Sequence, residues 1–282
     1  MTTRFHVMHV VPNAQRHISF GFGEIIETVR FGLQSLGYEA TYAINQFRPD
    51  SVNIVFGSQM LGIYNLERLP ADTIVYNLEQ VAGFAGNQIN ERMRFCAERF
   101  VIWDYSEFNL PAWRTLNLKA PVVHVPIGYA PILTRIESAP EQDIDVLFYG
   151  VPGGKRLWVF AEICRASLRA VFVHGLYGAA RDELIARSKI VLNVNQYPRS
   201  RLFEIARVSY LFANRKAIVS DFSADTKIED DVREAARLVP VEAIAQECVG
   251  LIAHPDQRRA LEEAGFECMR RRDIRAILGR VL

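Results

Sequence analysis

Short apolar, β-rich runs alternate with longer amphipathic or polar connections along nearly the whole chain, and this rhythm leaves few folds open to it. Phe5 to Val11 is one such run. A stretch holding Pro12, Asn13 and Gly21 follows, and Gly23 to Leu36 then sets Ile25, Ile26, Val29, Leu33 and Leu36 at helical spacing. Further runs at Glu39 to Ile44, Val52 to Phe56, Thr73 to Tyr76, Arg99 to Trp103 and Val122 to Val125 predict more strands. A strand, a covering helix and a new strand form a unit whose two strands run parallel, so the pattern predicts an α/β protein with helix-covered parallel sheets.

The rhythm breaks once, between Pro126 and Gln142, where Pro126, Pro131 and Pro140 interrupt a stretch with no sustained periodicity. It resumes with strands expected at Asp145 to Tyr149, Ala170 to His174, Ile190 to Val194 and Ala217 to Ser220. Helices are expected at Arg156 to Ala166, Asp182 to Ser188 and Arg201 to Ala213, with a largely helical end from Asp256 to Leu282. We therefore expect a Rossmann-like domain over 1–127, a linker over 128–143 and a second Rossmann-like domain over 144–282. The 282 residues, half of them hydrophobic, are enough for two cores of that size.

Thirty-three basic residues against thirty-two acidic ones leave a net charge of +1, which argues against a nucleic-acid partner and means that any phosphate is held locally. The four cysteines, Cys96, Cys164, Cys248 and Cys268, show no C-x-x-C spacing, and no secretory leader opens the chain, so a reduced, cytoplasmic protein is expected. No apolar stretch is long enough to span a bilayer, which leaves only peripheral membrane contact open. No H-x-x-x-H or paired cysteines occur, and no metal site is expected.

Ligands of open parallel sheets bind beyond the carboxyl ends of the strands, where loops and helix N-termini present unpaired N–H groups. Two strand ends carry the strongest signals. After the run Asp145 to Tyr149 come Gly150, Gly153 and Gly154, then Lys155 and Arg156 at a helix start. Glycines let backbone N–H groups approach phosphate oxygens and the cations add charge, so this turn is a candidate diphosphate cradle; a plain surface turn is the competing reading. The second strand end, Asn193 to Gln196, leads through a loop to Arg201, Phe203 and Glu204. Here Arg201 faces a phosphate and the Glu204 carboxylate accepts ribose hydroxyls, or simply complements a helix dipole. His174 and Tyr177 beside Gly175 and Gly178, together with Asn193 and Asn195, are further candidate contacts, weighed against ordinary packing roles.

These residues carry a resemblance. Residues 145–221, with Phe203-Glu204 at a helix start, a turn at Ala213-Asn214 and the strand Ala217-Ile218-Val219-Ser220, resemble the donor half of GT-B-type glycosyltransferases, especially the bacterial polysaccharide and spore-coat groups. The resemblance implies two Rossmann-like domains facing a cleft. It also implies a hexosyltransferase-like, metal-independent activity with a nucleotide-diphosphate sugar as donor, no separate cofactor, a glycan or other hydroxyl as acceptor, and Glu204 on the nucleotide ribose. The family's second acidic residue, seven or eight positions upstream, is replaced here by Gln196-Tyr197-Pro198. The first domain would hold the acceptor and a general base, with His17 and Glu24 as leading candidates and Glu79 and Asp104 behind them. The alternatives are a nucleotide-sugar epimerase on the same architecture and a noncatalytic nucleotide-sugar-binding module.

Overall fold

The computed structural model describes residues 3–12, 17–81, 89–196 and 202–282. The chain forms two compact units, Met1–Ala130 with Arg272–Leu282, and Pro131–Arg271.

The first unit is built on a six-stranded parallel sheet: β1 (Arg4–His9), β2 (Glu39–Ile44), β3 (Val52–Phe56), β4 (Ile74–Asn77), β5 (Val101–Asp104) and β6 (Val123–His124), in the order β2-β1-β3-β4-β5-β6. Its helices are α1 (Gly23–Ser35), α2 (Ile63–Glu67), α3 (Glu91–Arg99) and α4 (Leu110–Trp113). The side chain of Asn90 starts α3 by accepting a hydrogen bond from Met93 N at 3.0 Å. One core layer joins Met8, Val10, Val55, Val75 and Ile102 of the strand region to Leu66, Met93, Cys96 and Trp113 of the helices.

The second unit holds a five-stranded parallel sheet: β7 (Ile144–Tyr149), β8 (Ala170–Val173), β9 (Ser188–Asn193), β10 (Ala217–Asp221) and β11 (Arg237–Val239), in the order β11-β10-β9-β7-β8. Around it lie α5 (Gly154–Arg165), α6 (Ala179–Arg187), α7 (Ile205–Ala213), α8 (Asp230–Arg233), α9 (Ile244–Ala253) and α10 (Pro255–Arg270). Val146, Phe148, Ile190, Leu192 and Val219 pack with Val159, Ile163, Ile244 and Leu251. Both sheets thus follow the doubly wound plan, in which the order reverses at the first strand of each.

Three expectations need correction. A final helix, α11 (Ile274–Leu278), belongs to the first unit although the sequence places it in the second domain. It docks because two glycines leave room: a Cβ on Gly32 would meet Leu278 Cδ1 at 2.7 Å, and one on Gly128 would meet Ile274 Cα at 3.0 Å. Tyr129 N donates to Arg272 O at 2.7 Å and Ile274 N to Tyr129 O at 3.1 Å, which fixes the return. The expected linker is largely part of the second unit. Asn214 Oδ1 accepts from Arg135 N (2.9 Å) and Ile136 N (2.7 Å), while Ala139 N reaches Ala186 O at 3.0 Å. Finally, α7 starts at Ile205 and not near Arg201, because Leu202 bridges Lys227 and Phe203 N donates to Lys227 O at 3.0 Å, holding both residues out of the helix.

Candidate functional site

In the second sheet the order reverses between β7 and β9, and the residues just past these two strands are those the sequence singles out. Gly150 follows β7 with φ +145°, a conformation that a side chain disfavours. Its N donates to Val173 O at 3.0 Å, so the turn lies against the end of β8, where exposed His174 follows. The turn then enters α5 at Gly154, with extended Gly153 as a cap that contributes no side chain.

The two cations of this turn have different surroundings. Arg156 is 3% exposed; its Nε donates to Val194 O at 2.9 Å and its Nη1 to Val151 O at 2.8 Å. It ties the turn after β7 to the end of β9 and lies over the Phe148 ring. Lys155 reaches across to the end of β10, where its Nζ lies 2.6 Å from Asp221 Oδ2; Asp221 Oδ1 accepts from Asn195 N at 2.9 Å. One carboxylate therefore organises the lysine and the strand-end backbone together. Buried Asn193 donates to Ser220 Oγ at 3.0 Å, which joins β9 to β10 at the same end.

Glu204 is the cap residue of α7, but its side chain makes no capping hydrogen bond; its backbone O takes the helix's first bonds, from Arg207 N (3.0 Å) and Val208 N (3.1 Å). A purely capping role for this carboxylate is thus not what the geometry shows. Phe203 is buried beside it. One turn further on, Arg207 lies 5.6 Å over the Tyr149 ring and brings its Nη2 to 3.3 Å from where a Gly150 Cβ would stand. The glycine turn and the helix that begins at Glu204 therefore meet at Gly150. Half-buried Tyr177 sits between Gly175 (φ +71°) and Gly178 (φ +60°), ahead of α6. Arg201, the other expected phosphate contact, lies outside the described residues.

In the first unit, His17 opens a short 3₁₀ turn, His17–Phe22, and its side chain lies outside the described part. Glu24 lies in the first turn of α1 and is buried. His9, a buried imidazole at the end of β1, is not among the candidates that the sequence suggests. Its Nε2 donates to Ser19 O at 2.8 Å, and its Nδ1 lies 3.2 Å from Tyr42 Oη. Burial holds its pKa below the ordinary value, so it is a neutral pin for the turn that follows. Glu79 Oε1 accepts from Gln59 Nε2 at 2.8 Å.

Asp104 is fully buried. Its Oδ1 accepts from Ser106 N (2.8 Å) and Asn109 Nδ2 (3.0 Å), and its Oδ2 accepts from Asn77 Nδ2 (2.8 Å) and Trp113 Nε1 (2.6 Å). Burial pushes its carboxyl up to about 6, against the pull of these donors. Engaged on both oxygens, it anchors the ends of β4 and β5. A cavity of about 570 Å³ in the same unit is lined by Met8, Val10, Phe47, Met60, Leu61 and Arg68 among others.

The chain also contains one Asp-x-Asp, Asp143-Ile144-Asp145, which the expectation of no metal motif overlooks. It stands at the entrance of β7, at the opposite end from Gly150. There Asp143 pairs with Arg187 (2.6 Å), and Asp145 with Arg169 (3.1 Å) and Lys189 (2.7 Å). Burial works against ionisation of Asp145, but the hydrogen bonds from Arg169 and Lys189 prevail and hold it well below the usual carboxylate range. Among the described residues no group of three or more His, Cys, Asp or Glu side chains is placed to hold a metal, and no helix is long and apolar enough to cross a membrane.

No protein-family model matches the sequence, and no curated protein matches it. Solved structures do match, and three of them match over nearly the whole of both chains. HepE from Anabaena, in complex with UDP and glucose, gives a TM-score of 0.64 at 9% identity, covering 99% of this chain and 98% of that one. Sucrose-phosphate synthase from Thermosynechococcus elongatus gives 0.61 at 11% identity, with 99% and 98% covered. AviGT4, a glycosyltransferase involved in avilamycin A biosynthesis, gives 0.59 at 14% identity, with 99% and 96% covered.

Proposed function

From the GT-B fold that these likenesses establish, we propose that the protein is a glycosyltransferase that moves a sugar from a nucleotide-diphosphate donor to an acceptor hydroxyl, in glycan or surface-polysaccharide synthesis. The observation that carries the reading is the meeting, at the reversal point of the second sheet, of the Gly150 turn with the helix headed by Glu204. The turn and the start of α5 receive the diphosphate, and Glu204, whose side chain does not cap the helix, receives the ribose. HepE has also been crystallised with UDP-glucose, which supports a donor of this class.

In this reading the charge that grows on the departing diphosphate is offset by side-chain cations and helix dipoles, without a metal. Lys155 takes part by exchanging Asp221 for a phosphate oxygen, whereas Arg156 shapes the turn through its two carbonyl bonds. Asn195, His174, Tyr177, Phe203 and Arg201 complete the donor contacts. The acceptor is assigned to the first unit, whose cavity of about 570 Å³ has the size of a small-ligand pocket. His17 and Glu24 are the candidates for removing the acceptor proton.

The test is a thermal-shift screen of UDP, GDP, ADP, CDP and dTDP with their sugar conjugates, followed by release of nucleotide diphosphate from a radiolabelled donor with and without acceptor glycans. A ligand bound only by the native state raises the unfolding midpoint. Stabilisation by at least one diphosphate, abolished in Glu204→Ala, is expected. Absence of any shift across the panel refutes the donor site, and formation of an epimer without transfer refutes the transferase activity.

A further inference from the structure

Two guanidinium groups converge on one backbone position: a Cβ on Gly150 would lie 3.0 Å from Arg156 Nη1 and 3.3 Å from Arg207 Nη2. Arg156 is bound to two carbonyl oxygens. Arg207 is different. Among the described residues its buried Nη1 donates to nothing and the side chain forms no ion pair; its close partner there is the Tyr149 ring, 5.6 Å away. That ring brings no compensating charge with it, because Arg181 lies 5.9 Å over Tyr149 as well and is paired with Asp182 at 2.9 Å.

A buried donor on a charged group costs free energy when it lacks a partner, and like charges brought together add to that cost. Both costs vanish if an anion sits against the Gly150 turn. We infer that Arg207 is the principal side-chain ligand of the donor's diphosphate. Its planar fork, held beside Tyr149, presents donors to phosphate oxygens. This inference rests on the glycosyltransferase reading and deepens it. Of the cations that the sequence brings forward, Lys155 and Arg156 are already engaged by Asp221 and by carbonyls and Arg201 lies outside the described residues, whereas Arg207 retains its donors for a ligand. Lying one turn beyond Glu204, it also sets the diphosphate between the turn and the ribose carboxylate.

The experiment is calorimetric titration of wild type, Arg207→Gln and Arg207→Lys with UDP, GDP, ADP, CDP and dTDP, and with the nucleoside of whichever diphosphate binds. Thermal unfolding of each variant confirms a native fold. Loss of a charge-assisted bond to phosphate should weaken diphosphate binding about ten- to hundredfold in Arg207→Gln. Arg207→Lys should recover part of that loss, and nucleoside affinity should stay within about twofold. Equal diphosphate affinity in wild type and Arg207→Gln overturns the role of Arg207 and leaves the donor site standing. An equal loss for nucleoside and diphosphate shows general damage and also overturns it. Failure of wild type to bind any of the five diphosphates refutes the donor site, and this inference with it.

Discussion

Replacing Asp104 by Asn changes one atom of a buried carboxylate that receives four N–H donors at 3.0 Å or less, two on each oxygen. Whichever way the new amide turns, its NH₂ faces two donors, either Ser106 N and Asn109 Nδ2 or Asn77 Nδ2 and Trp113 Nε1. Each stranded donor costs about 1–3 kcal/mol, and relief from burying a charge returns part of this, so a net loss of about 2–4 kcal/mol is expected at pH 7. Urea unfolding followed by tryptophan fluorescence suits the measurement, because Trp103 and Trp113 are both buried in the first unit and report on it directly. A second substitution sharpens the test. With Trp113→Phe the amide can point its NH₂ where one donor has gone, so the two changes together should cost about 1–2 kcal/mol less than their sum. Additive effects, or a loss below about 0.5 kcal/mol for Asp104→Asn, would refute the account of Asp104 as an anchor held by donors on both oxygens.

Lys216 is fully buried, with Nζ 3.3 Å from both Ser138 Oγ and Ser188 O, and burial lowers its pKa from 10.5 to about 8. The unfolded chain therefore binds the proton more tightly between pH 8 and 10.5, and stability from this group rises across that window. Lys216→Met should stabilise the protein at pH 7, by up to about 3 kcal/mol, and remove the rise; unchanged denaturation midpoints from pH 7 to 10 would contradict this. Gly150→Ala places a Cβ against Arg156 and Arg207 at a φ that alanine resists, and should cost about 1–3 kcal/mol in urea unfolding while weakening nucleotide diphosphate binding. A variant with wild-type stability and affinity would show that the close approach is unimportant.

What can be read from the sequence follows from how local the cause of each feature is. β2 and β3 have the ranges that their composition predicts, Glu39–Ile44 and Val52–Phe56, because each run stands between polar segments. The three-residue β11 escapes notice: Arg237–Val239 is too short for any periodicity and exists as a strand through its pairing with β10. The Gly150 turn is visible because glycine next to a strand is a local signal. Arg207 is not, since an arginine in an apolar helix resembles any other until the fold sets its Nη2 beside Gly150. Likewise, nothing within Asp104-Tyr105-Ser106 tells that Asn77 and Trp113 converge on the carboxylate from other segments.

The docking of α11 against Gly32 and Gly128 makes the first unit discontinuous along the chain. A ribosome emits residues 1–130 first, yet the piece that closes them arrives only after the entire second unit has emerged. During synthesis the notch on α1 therefore stays open while Pro131–Arg271 folds, and exposed apolar surface in such a waiting intermediate is a target for chaperones. A peptide of residues 272–282 added in trans should close that notch and rescue a chain cut after Arg271, a complementation that an independent tail would not show.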